Sequence, residues 1–179
     1  MAVRRKHVRA VAENLLDKRC IRDAPVPVAD MAGAIGIEVR MEKVDDDLSG
    51  FLLRDMEART AIIGVNATHS ESRVRFTIAH ELGHFLLHEG VTVHFDGQRP
   101  GMTLNLRGVE ASMGTDDNER EANLFAAELL MPQKFLERDL QNFNSDLMDE
   151  DALSELAKKY QVSVQALTFR LANLRYIEL

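Results

Sequence analysis

The segment Val74–Leu87, reading VRFTIAHELGHFLL, constrains the fold more than any other part of the chain. Val74, Ile78, Leu82 and Phe85 recur at helical spacing and predict an amphipathic helix with one buried stripe. His80 and His84 stand four residues apart on that helix, so both imidazoles project from one face and can meet at one metal ion. Thr77, His80, Glu81 and His84 fall on the face beside the stripe, where residues lining a cleft should be. The helix must therefore lie partly in a core and partly against a polar site. Gly83 costs such a helix about 1 kcal/mol relative to Ala, which is understandable if another element has to approach it closely.

His-Glu-x-x-His on a helix is the zincin arrangement, in which two His residues hold the ion and the Glu beside the first is a general base. This gives His80 and His84 as metal ligands and Glu81 as the catalytic residue. A catalytic zinc takes three protein ligands and leaves a position open, so one ligand must come from elsewhere. The metzincin pattern requires a His six residues beyond His84, and that position is Gly90. His88 shares the face of His84, but His80 to His88 spans about 12 Å of helix, too far for one ion. It reads as a residue behind the ligands or at the surface. His94 sits in a weak context.

An acidic residue on a later helix fits better. In NEREANLFAAELLMP, residues 118–132, Glu119, Ala122, Asn123 and Ala126 share one face, and the alanines would let this helix pack tightly on the His80 helix. Glu119 is the preferred third ligand. Glu121 is its rival, although two residues of rotation relative to Asn123 turn it toward solvent.

Lys plus Arg number 22 and Asp plus Glu 29, a net charge of -7 that argues against a dedicated nucleic-acid binder. Arg4, Arg5, Lys6 and Arg9 form a basic cluster, read as a solvated helix face. A single cysteine, Cys20, allows no intrachain disulfide and no thiolate-rich zinc site. Cys20 is expected to be half-buried. With no 18-residue apolar run and no apolar stretch behind the basic N-terminus, neither a membrane span nor a secretory signal is expected, and the protein reads as cytoplasmic.

Residues 3–19 predict an amphipathic helix with Val8, Val11, Leu15 and Leu16 inward, and Val28–Ile35 a short helix ended by Gly36. Residues 37–41 alternate as a strand. Residues 49–54 and 60–65 read as a hairpin, and Val91–Phe95 as a further short strand. The run Asp45–Asp47 lacks the ligand spacing of an EF-hand and reads as a turn. Residues 98–115 read as a long loop. Helices are predicted near 116–130, 134–140, 149–160 and 163–174. The fold class is α+β: a zincin-like metallopeptidase with a small antiparallel-type sheet against the His80 helix and C-terminal helices of helix-turn-helix-like appearance. Residues 1–145 would form the metallopeptidase domain, with 146–179 a helical pair packed on it or part of the same single domain.

Taken together, RFTIA before HELGH, Leu86-Leu87-His88 after it, EREANLFAAELLMP, the upstream Ser49-Gly50-Phe51 and Ile62–Asn66, and the tail Leu156–Ser163 with Leu171–Leu174 resemble the ImmA/IrrE metallo-endopeptidases over most of residues 25–175. The resemblance implies one Zn2+ per chain, although Mn2+ or another divalent ion would suit the same ligands. It implies an acidic ligand four residues before the Asn of A-N-x-F-A-A, which is Glu119 here. It also implies a protein substrate, a helix-turn-helix transcriptional repressor cleaved to derepress phage, mobile-element or stress genes. An oxyanion donor is expected, with His94, Arg73 and Arg107 as candidates, and the strand 60–65 could pair with an extended peptide. The alternative reading is a DNA-binding or metal-sensing regulatory module without protease activity. The helices of residues 153–174 have helix-turn-helix spacing, but the second offers phosphates only Arg170 and Arg175, and Asp146, Asp149, Glu150 and Asp151 would repel DNA.

Overall fold

The order of elements follows the alternation of short apolar runs and helical periods. A computed structural model describes residues 2–43, 48–55, 60–88, 93–97, 116–141 and 149–178. It contains α1 (Arg5–Lys18), α2 (Val28–Gly33), β1 (Ile37–Glu42), β2 (Leu48–Asp55), β3 (Thr60–Asn66), α3 (Glu71–Leu87), β4 (Val93–Gly97), α4 (Asp116–Leu130), α5 (Gln133–Gln141), α6 (Glu150–Tyr160) and α7 (Val164–Asn173). The Asp45–Asp47 run, the loop 98–115 and Arg107 lie outside the described residues. Among the described residues, no helix is long and apolar enough to cross a membrane.

The four strands form one sheet in the order β1-β3-β2-β4. β2 and β3 make the expected antiparallel hairpin, with Leu52 opposite Ile63. β4 joins β2 antiparallel, and β1 joins β3 parallel. This order corrects one expectation: β3 is interior, with both edges already paired, so it cannot accept a peptide strand. The strand edge nearest the His residues is β4. Alternation sends Leu52, Ala61, Ile63 and Val65 inward to the helices.

Helix α3 lies against this sheet and is capped at both ends. Ser70 accepts from the Arg73 N–H at its start. At its end, the Arg54 guanidinium from β2 donates to the carbonyls of His84, Phe85 and His88 at 2.7, 2.9 and 2.9 Å. Gly50 permits the close approach of sheet to helix, because a Cβ there would collide with Thr77 and the Gly64 carbonyl. Gly83 does the same on the opposite side. Its own Cβ would stand 3.0 Å from Phe125 Cδ1 and 3.2 Å from Ala122 Cα, so α4 packs directly on α3 as the glycine implied.

The apolar core joins α1, α2, the sheet, α3 and α4 to Leu153, Leu156, Tyr160, Leu167 and Leu171 of the C-terminal helices. Polar ties reinforce that union. Arg170 of α7 forks onto Glu128 of α4 at 3.0 and 2.6 Å, and the Tyr160 hydroxyl donates to Asp139 at 2.8 Å. Cys20 is exposed rather than half-buried, because α1 has already ended and the chain turns there with φ 56°. The basic cluster is not uniformly solvated: Arg4 and Arg9 reach across to Glu121 and Glu128 of α4.

Candidate metal centre

Three elements converge on one point. Helix α3 presents His80, Glu81 and His84, all at most 3% exposed. Helix α4 presents Glu119 from its first turn. Strand β4 presents His94, whose register partner Leu52 lies in the core, so His94 shares the inward face of the sheet.

The geometry is tight. His80 Nε2 and His84 Nε2 lie 3.0 Å apart. Glu119 stands 3.3 Å from His80 Nε2, 3.4 Å from His84 Nε2 and 2.8 Å from His94 Nε2. The His94 Nδ1 is 3.1 Å from the Glu81 carboxylate, and its ring stacks on His84 with centroids 3.7 Å apart. Ligand atoms of His80, His84, His94 and Glu119 all fall within 4.8 Å of one another.

These residues fit a divalent ion. Ligands held tetrahedrally at zinc distances lie about 3.3 Å from each other, and those of His80, His84 and Glu119 lie 3.0, 3.3 and 3.4 Å apart. Proton placement agrees. His80 Nδ1 lies 3.1 Å from the Asn123 side-chain oxygen, which can only accept, so Nδ1 carries the proton and Nε2 of the neutral ring offers a lone pair. A lone pair aimed at a second imidazole nitrogen and a carboxylate describes a site shaped for a cation.

Electrostatics follow from burial and from these partners. Burial pushes His84 down to about 4, which keeps it neutral and able to ligate. Burial also lowers His94, but hydrogen bonds to Glu119 and Glu81 outweigh it and push that ring up to about 10. Burial would raise Glu119, yet the three imidazoles hold it well below the usual carboxylate range.

The sequence reading and the structure agree on where His80, Glu81, His84 and Glu119 lie. They differ at Glu121. It does not face solvent: it is 3% exposed, and Arg4 holds it in a fork, with a hydrogen bond that lowers its carboxyl to about 2. His88 is likewise buried, between His84 and Glu121. Two residues of the site were missed or underrated. The role of Asn123 was not drawn, though its place on the Glu119 face was the signal. His94 gave a signal only through its position in the alternation of a short strand. The candidate oxyanion donor Arg73 instead donates to Ser49 at 2.9 Å.

Comparison with known proteins bears on the whole arrangement. A model of the IrrE N-terminal-like domain, a family of M78 peptidases, matches residues 32–172. No curated protein matches the sequence. Among solved structures, a Mycobacterium tuberculosis transcriptional regulator is similar in fold, with a TM-score of 0.62 at 15% identity. The match covers 93% of this chain and 46% of the regulator, so the chain spans about half of that protein's length. With the His-Glu-x-x-His helix, the acidic helix and the sheet all inside the matched region, the chain belongs to the IrrE N-terminal-like domain family of M78 peptidases.

Proposed function

We propose that the protein is a zinc-dependent endopeptidase, with His80, His84 and Glu119 holding the ion and Glu81 as general base. The observation that carries this reading is the meeting of two imidazole nitrogens 3.0 Å apart with the Glu119 carboxylate, beside a fully buried Glu81. A divalent ion bound there supplies Lewis acidity, polarising a peptide carbonyl and making water nucleophilic near neutral pH. Glu81 accepts the proton released by the attacking water and passes it to the leaving amine. Asn123 fixes the His80 ring by accepting its Nδ1 proton. His94 orients Glu81 through its Nδ1 contact.

A protein substrate follows from the family resemblance, and we place a helix-turn-helix transcriptional repressor in that role, in the cytoplasm. The C-terminal helices support docking of a protein more than of DNA. Arg170, one of the two cations α7 and its end could offer to phosphates, is buried against Glu128. The test is incubation of the full chain with a helix-turn-helix repressor from the same genome, with Zn2+ and with chelator. Cleavage only in the presence of metal is expected; an intact repressor in the presence of the metal-loaded chain would overturn the reading.

One observation favours a second reading. His94 lies at ligand distance from the same point, and a fourth protein ligand would close the tetrahedron, as in structural and sensing sites. In that case His94→Ala would create peptidase activity or leave none to lose. In the endopeptidase reading it lowers activity while the metal stays bound.

A further inference from the structure

We propose that Arg4, Glu121 and His88 form an ordered chain of hydrogen bonds that positions His84 to bind metal through Nε2, joining the N-terminal segment to the metal centre. This rests on the metal-binding reading above and adds positioning residues to it.

The chain is continuous. The Arg4 side chain donates to Glu121 through Nε at 3.0 Å and Nη2 at 2.6 Å, and the Arg4 backbone N–H adds a bond of 2.7 Å. Glu121 Oε2, the oxygen that accepts from Arg4 Nη2, also meets His88 Nε2 at 3.3 Å. His88 Nδ1 then meets His84 Nδ1 at 3.1 Å. Glu121 and His88 are 3% and 6% exposed, so water is kept from the Glu121–His88–His84 contacts, while the Arg4 side chain at the outer end is half exposed. Arg4 also donates to the Leu87 carbonyl at 3.2 Å, which ties the same cation to the end of α3.

Valence sets the direction of every bond. A carboxylate forked by a guanidinium can only accept, so His88 Nε2 carries a proton and donates it. The neutral His88 ring then has its lone pair on Nδ1 and must accept from His84 Nδ1–H. His84 is left with its lone pair on Nε2, the atom that faces His80 and Glu119. The opposite tautomer of His84 would set two lone pairs 3.1 Å apart at the His88 contact. The chain therefore selects the ligand tautomer.

A simple staple between α1 and α4 would need only Arg4 and Glu121. It would not need a buried imidazole between that pair and His84. The contrast with His80 is informative, because its Nδ1 proton goes to a neutral amide, Asn123, whereas the His84 proton is backed by a carboxylate. Ligand residues hydrogen-bonded in this way bind metal more strongly, and loss of the outer partner lowers affinity by about 10–100-fold.

The test uses the full chain. Zn2+ affinity is measured by competition with a chelator, the His84 ring proton is followed by nitrogen–proton NMR of the zinc-loaded protein, and folding is monitored by circular dichroism. His88→Phe is expected to weaken Zn2+ binding by about 10–100-fold and to remove the hydrogen-bonded Nδ1 proton signal of His84. Glu121→Gln, which keeps the volume if His88→Phe does not fold, should weaken binding in the same direction by a smaller factor, and Arg4→Ala by less again. A folded variant of His88 or Glu121 with wild-type Zn2+ affinity would overturn the proposal, as would a zinc-loaded His84 lacking a proton on Nδ1. Absence of Zn2+ binding by the wild-type chain would instead overturn the metal-binding reading, and this proposal with it.

Discussion

The two ends of α4 each surround a carboxylate, Glu119 a third exposed and Glu128 buried, and handle it in opposite ways. At the start, Glu119 faces the imidazoles of His80, His84 and His94. Two turns and more further on, Glu128 lies between the guanidiniums of Arg9 and Arg170, at 3.1 and 2.6 Å. Arginine stays protonated and neutralises its partner permanently. Imidazole can give up its proton and offer a lone pair, so the cluster around Glu119 can exchange protons for a metal ion. One helix thus carries a cluster that could hold a metal ion and an ion-pair site that needs none. The difference shows that burial of a carboxylate is not itself a functional sign; the protonation chemistry of its partners is.

The sharpest way to break this comparison is to remove the metal. Chelation, or His84→Ala, should abolish peptidase activity, with metal content measured alongside; activity that survives in metal-free protein would refute the assignment of the Glu119 end. Next in size is Glu81→Gln. It should lower kcat by about 10²–10⁴-fold while metal stays bound, because only the proton acceptor is lost. A mutant that binds zinc and still cuts at the wild-type rate would remove Glu81 from the mechanism.

At the other end of the helix the expected effect is on folding. Glu128→Ala leaves Arg170 buried without its carboxylate and should cost about 3–5 kcal/mol in urea denaturation, with the folded fraction still binding metal. Glu119→Ala should show the reverse pattern, losing metal with a smaller loss of metal-free stability. Gly83→Ala sits between the ends. Its Cβ would press on Phe125 and Ala122, which should cost about 1–3 kcal/mol by overpacking, readable in the same denaturation series.

The smallest effect is in pH. Burial alone would raise the Glu128 carboxyl, but Arg170 and Arg9 outweigh it and hold it below the usual range. A carboxyl depressed in the folded state adds stability that is fully present above its unfolded value, about 4.3, and is lost as pH falls through the folded value. Stability measured from pH 6 to pH 3 should therefore fall at the acid end in the wild type, and less steeply in Glu128→Ala. Equal slopes would show that the Glu128 pairs contribute nothing.

Much of the site was legible because its chemistry is local. His80, Glu81 and His84 lie within one turn and a half of a helix whose apolar stripe is plain in the sequence, and the Glu119 face could be read from Ala122, Asn123 and Ala126. The hairpin of β2 and β3 was legible for the same reason, since strand pairing between neighbours needs only alternation and a turn. Glu121 misled because helical rotation does place it away from Glu119, but rotation does not say what lies on the other side. Arg4, 117 residues earlier, lies there. His94 was undervalued because its inward direction depends on pairing with Leu52, a long-range choice. The interior position of β3 was illegible because β1 adds in parallel from outside the hairpin.

What the residues decided unaided was the set of groups with periodic or motif spacing: the helix of α3, its two imidazoles and carboxylate on one face, the small residue at Gly83, and the acidic helix shaped to meet it. These follow from the fixed rotation per residue of a helix. What only the tertiary structure decided was which distant groups meet: Arg4 with Glu121, Glu121 with His88, His94 beside Glu81, and Arg170 with Glu128. Such pairings are set by how sheet and helices stack, and no local spacing encodes them, because each depends on chain closure over 13 to 117 residues.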